Sequence, residues 1–149
     1  MKFRHTSKLR RVGRSLKSWK EIWESAQKIL IPVIHCDHWV LISAQKRGES
    51  TILIRYYDSL NTPSEACRKR AQEILQAIIP SAVLPDRHNR WTQNTGTGVC
   101  GVAVIHYMEE EIRESRGEGY GHNRCDISVM DARMQSFRRV LARRKDQWR

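Results

Sequence analysis

The stretch Gln93-Asn94-Thr95-Gly96-Thr97-Gly98-Val99-Cys100-Gly101-Val102-Ala103-Val104-Ile105 joins a glycine-punctuated loop to an apolar segment, with a cysteine at the junction. Met108 and Ile112 continue the apolar spacing. The pattern predicts a helix from Cys100 to about Arg116 with the thiol in its first turn. A helix N-terminus carries partial positive charge and unpaired N–H groups. Both favour thiolate over thiol, and the thiolate is the nucleophile. A cysteine so placed becomes a hydrolytic nucleophile when a histidine and a carboxylate serve it. Gly96 and Gly98 let the preceding backbone turn tightly and approach a substrate closely.

Working outward, His38 to Ala44 and Thr51 to Asp58 read as two strands, rich in β-branched and aromatic residues. The polar run Gln45-Lys46-Arg47-Gly48-Glu49-Ser50 lies between them, which predicts an antiparallel hairpin. A turn centred on Gly48 sets His38 directly opposite Asp58. Opposed side chains have Cβ atoms about 4.5–5.5 Å apart, close enough for an imidazole and a carboxylate to bond. The carboxylate then fixes one ring nitrogen and leaves the other for the nucleophile. A one-residue slip would send the two side chains to opposite faces. In these roles Cys100 is the nucleophile, His38 the base and later the acid, and Asp58 the orienting group. Gln93 can aim its amide N–H at the developing oxyanion, beside the backbone N–H of Cys100.

The flanking elements follow from periodicity. Leu16, Trp19, Ile22, Trp23, Ala26 and Ile29 keep helical spacing, with Ser18 or Ser15 as the cap. Ile29 to Ile34 reads as a buried strand that Pro32 places at an edge or bulge. Residues 62–79 read as a helix with Thr62 as cap and Pro63 at its first position. A short strand is expected near Arg90-Trp91-Thr92, and a last helix after Asp126. Residues 1–14 form a basic, flexible segment, and 15–149 a single domain without internal repeat.

The 149 residues carry a net charge of +11, unevenly placed. Residues 1–20 hold +8 and residues 133–149 hold +6, so residues 21–132 carry the difference between +11 and +14, a net −3. Basic ends suit nucleic acid, an acidic partner or a nuclear import signal, and equally a solvated surface. No apolar run approaches the roughly 20 residues a membrane span needs, and no signal peptide is read. The expectation is an intracellular protein, nuclear or cytoplasmic. Cys36, Cys67, Cys100 and Cys125 lack CxxC spacing and read as free thiols. His35-Cys36-Asp37-His38 alternates between faces and cannot grip one ion. His122 and Cys125 lack a partner pair. No metal or cofactor is implied.

In combination, IPVIHCDHWVLIS (31–43), RYYDSLN (55–61) and TQNTGTGVCGVAV (92–104) resemble the ubiquitin-like-protein-specific cysteine proteases, the SUMO- and NEDD8-processing group, with adenovirus protease a distant relative. The likeness rests on His-Trp, Tyr-Asp-Ser and Gln…Cys-Gly in that order. It implies a papain-like α+β fold, a small sheet flanked by helices. It implies Cys100, His38 and Asp58 as triad and Gln93 as oxyanion donor. Trp39 would wall a narrow tunnel for a diglycine tail, with Gly98 and Gly101 lining the substrate path. The implied partner is SUMO, NEDD8, ubiquitin or their conjugates, and a monomer is expected. Val99 stands where SUMO proteases commonly have Asp, and the Gln-to-Cys interval is one residue longer. The N-terminal third of a typical catalytic domain is expected to be shortened, with Trp19 or Trp23 as replacement tunnel wall. The alternative is a catalytically impaired relative that binds a modifier or nucleic acid.

Overall fold

The computed structural model describes residues 18–89, 92 and 98–118. The basic segment at 1–14, Gln93, the strand expected at Arg90 and Trp91, and the last helix lie outside the described residues. Helix α1 covers residues 18–25. Three strands follow, β1 (Lys28–His35), β2 (His38–Arg47) and β3 (Thr51–Asp58), then α2 (Glu65–Ile78) and α3 (Cys100–Ser115). The strands form one antiparallel sheet in the order β1-β2-β3. The arrangement is α+β.

Two short connections set the sheet. His35 and His38 pair across a two-residue turn in which Cys36 and Asp37 have φ of 49° and 57°. Positive φ at both central positions is the type I′ hairpin geometry, whose twist matches the strands. The four residues that look like a metal cluster are thus a hairpin end. No group of three or more His, Cys, Asp or Glu placed to hold a metal occurs among the described residues. Pro32 lies in β1 at the sheet edge, where its missing donor removes no ladder bond.

The β2–β3 turn corrects the expected register. Strand β2 runs on to Arg47, which pairs with Thr51, so the turn is Gly48-Glu49-Ser50. Asp58 therefore faces Val40 and not His38. The displacement is two residues, an even number. Side chains alternate with period two, so His38 and Asp58 stay on one face.

The sheet is buried on both sides. Ile29, Ile31, Val33, Val40, Ile42, Ala44 and Tyr56 pack with Ala71, Leu75 and Ile78 of α2. Leu41 and Tyr57 pack on the other side with Val102, Ala103, Val104 and Tyr107 of α3. Strand β2 supplies both cores, which explains its near-continuous apolar run.

Three boundary expectations change. Residues 26–27 separate α1 from β1, so Ile29 is a strand residue and not part of the helical face. Ser64, not Thr62, caps α2, its Oγ accepting from the Cys67 N–H at 3.3 Å. Trp23 is buried in the α2-side core with Trp19 packed against that core, so Trp23 offers no tunnel wall.

Candidate active site

Cys100 is the first residue of α3, directly after Val99 at the N-cap. The Ala103 N–H returns to the Val99 carbonyl at 2.9 Å and closes the first turn. Val99 has no side-chain group to cap this end. Gly98 precedes it with φ of +69°, a left-handed conformation that glycine adopts without steric cost. The expected coil-to-helix junction is present.

Against that junction lies the start of β2. Closure of the His35–His38 hairpin turns the His38 N–H toward β1, and successive strand amides alternate in direction. The Trp39 N–H therefore points the other way. There β3 has already ended, since its last residue, Asp58, faces Val40. That amide favours the Cys100 thiolate, as does the N–H of Gly101. Gly101 also sits under the Trp39 indole, where a Cβ would lie 3.6 Å from Cδ1. The indole remains partly exposed.

His38 brings the ring. Its Nε2 lies 2.7 Å from Asp58 Oδ1, with the carboxylate fully buried. The imidazole also interacts with the Cys100 side chain, each favouring the charged form of the other. Asp58 and His38 meet on the diagonal of the ladder, a span that long side chains cross. Asp58 is held from several directions. The Leu60 N–H donates to Oδ1 at 3.0 Å, and the Tyr56 hydroxyl donates to Oδ2 at 3.4 Å.

The electrostatics follow from these contacts. Burial alone pushes the His38 imidazolium down, but Asp58 and Cys100 outweigh it and raise the pKa from 6.5 to about 9. The His38 hydrogen bond leads in lowering the Cys100 pKa, against burial and with help from the Trp39 and Gly101 amides. Burial pushes Asp58 up, but His38, Leu60 and Tyr56 hold it below the ordinary carboxylate range. Sulfur and ring thus favour the thiolate–imidazolium pair.

Of the residues singled out in the sequence, His38, Trp39, Asp58, Gly98, Cys100 and Gly101 gather at one end of the sheet; Gln93 lies outside the described residues. Two contributors escape the sequence. The Trp39 amide is invisible because it depends on where β3 stops. Asn89 is the other. Its Oδ1 accepts from the Asp58 N–H at 2.9 Å and its Nδ2 donates to the Asp58 carbonyl at 3.0 Å. No local pattern marks that asparagine.

A sheet-borne His–Asp pair beside a helix-start cysteine is the arrangement of a thiol peptidase. The chain matches the Ulp1 protease family, C-terminal catalytic domain, over residues 1–147. It belongs to that family, and is a cysteine peptidase of the kind that acts on ubiquitin-like modifiers. No curated protein and no solved structure matches it.

Proposed function

We propose that this peptidase cleaves the bond after a Gly-Gly-like tail of a ubiquitin-like modifier, SUMO, NEDD8 or ubiquitin, with Cys100, His38 and Asp58 as its triad. The observation that carries the reading is the ring of His38, bonded to the buried Asp58 at 2.7 Å and close enough to Cys100 to lower the pKa of its thiol.

The thiolate of Cys100 attacks the glycine carbonyl carbon, forming the C–S bond and an oxyanion. The Cys100 N–H at the helix start and the Gln93 side-chain amide stabilise that oxyanion. As the tetrahedral species collapses, the C–N bond breaks and the His38 imidazolium gives its proton to the leaving amine. A thioester remains. Neutral His38 then takes a proton from water, which attacks the thioester carbonyl. The C–S bond breaks and the thiolate–imidazolium pair is restored. Asp58 stays ionised throughout and holds the ring.

Trp39 lies over Gly101, with Gly98 just before the helix. A flat indole over a side-chain-free backbone suits an extended tail whose residues also lack side chains. All these groups come from one chain, so the reading needs no second copy.

The test is cleavage of SUMO, NEDD8 and ubiquitin precursors bearing C-terminal extensions, with Cys100→Ala as control. Cleavage of one precursor at its Gly-Gly, lost in the variant, is expected. No cleavage of any, together with salt-sensitive binding of DNA or RNA, would favour a binding module that uses the basic ends.

A further inference from the structure

The triad reading leaves one contact without a task. Strand β3 ends at Asp58, so the backbone of that residue has lost its ladder beyond Val40. Segment 87–89 runs beside this end. Arg87 bridges Tyr56 in parallel fashion, and the His88 N–H donates to the Tyr56 carbonyl at 2.7 Å. The Asn89 side chain then takes both the N–H and the carbonyl of Asp58, at 2.9 and 3.0 Å. A primary amide presents one acceptor and one donor side by side, so it replaces a strand residue as a two-point clamp. Arg87 Nη1 reaches the Leu60 carbonyl, and Leu60 in turn donates to the Asp58 carboxylate.

Resting on that reading, we infer that Asn89 is a positioning residue: it fixes the Asp58 backbone so that the carboxylate meets His38, and thereby sets the reactivity of Cys100. In this role Asn89 acts through the Asp58 backbone. Its two bonds hold the Cα from which the carboxylate projects, and a misplacement of an ångström at such a group weakens catalysis by up to about 10²-fold. A carboxylate at this position would keep the acceptor but lose the donor to the Asp58 carbonyl.

The probe is iodoacetamide on the full chain, with the alkylation rate of Cys100 followed by peptide mass between pH 5 and 10. In the wild type the midpoint of the alkylation rate should lie below the ~8.5 of a free cysteine. Asn89→Ala should slow alkylation at pH 7 by roughly 10-fold and move its midpoint toward the ~8.5 of a free cysteine. Asn89→Asp, nearly isosteric, should shift it in the same direction and serves if the alanine variant does not fold. In an Asp58→Ala background, Asn89→Ala should have no further effect, because the two act in series. Wild-type profiles in both Asn89 variants, or effects that multiply with Asp58→Ala, would overturn the inference. An Asp58→Ala protein that alkylates like wild type would remove the triad reading itself, a separate result.

Discussion

His38 Nε2 and Asp58 Oδ1 lie 2.7 Å apart across a diagonal of the ladder, and both side chains are shielded from water. A charge-assisted bond in such surroundings is stronger than one at the surface. Asp58→Asn keeps the shape but removes the charge and replaces one of the two acceptor oxygens by a donor. Modifier cleavage should fall by on the order of 10²–10⁴-fold in kcat. Steady-state kinetics on the precursor that the enzyme accepts would measure it.

The pH dependence follows from the same pair. The Cys100 pKa is lowered and that of His38 is raised to about 9. The thiolate–imidazolium pair thus exists above the first value and below the second. The alkaline limb of kcat/KM should fall near pH 9. Stability carries the same sign. His38 is raised from 6.5, so its stabilising contribution is complete below about pH 6.5 and fades as pH climbs toward about 9. Asp58 is lowered, so its contribution is present at neutral pH and fades as pH falls through and below the ordinary carboxylate range. Urea unfolding across pH 5–10 should show the alkaline loss in wild type and a flatter profile in His38→Gln.

Gly98 has φ of +69° with open space around its Cα. A side chain there meets no neighbour, but the backbone conformation is unfavourable for any L-residue. Gly98→Ala should cost roughly 1–2 kcal/mol of stability. It should also lower kcat, since the same residue aims the start of α3. Chemical denaturation and turnover measured together would check both.

Glu111 is fully buried near the far end of α3. It receives the Tyr57 hydroxyl, and it pairs with Lys28 and, at 3.2 Å, with Arg55. Glu111→Ala would take the near carboxylate from Lys28 and the acceptor from the Tyr57 hydroxyl, while Arg55 keeps its pair with Glu114. A loss of about 1–3 kcal/mol is expected on denaturation, because buried polar groups are left without their partner.

Several of these features were readable in the chain. The apolar spacing after Gly98 identified α3 and its cysteine. His38 and Asp58 stood at opposite ends of two recognisable strands. Their pairing tolerated a misplaced turn, since a two-residue shift keeps every side chain on its face. Three things were not legible. Ile29 fits a helical stripe and a strand equally, and only the break at residues 26–27 decides between them. Ser64 and Thr62 are both good caps, separated by how the chain leaves Leu60. Asn89 and Glu111 act through contacts 31 and 56 residues away in sequence, and nothing local encodes such partners.

The proposed triad makes Cys100 the activated thiol. Cys36 is exposed and Cys100 is buried, so an unselective reagent favours Cys36. The direct measurement is reaction of the full chain with SUMO, NEDD8 and ubiquitin carrying C-terminal electrophiles, with the adduct mapped by peptide mass. One stoichiometric adduct is expected on Cys100, absent from Cys100→Ala and slowed in Asp58→Asn. An adduct on Cys36, or none with any of the three modifiers, would contradict it.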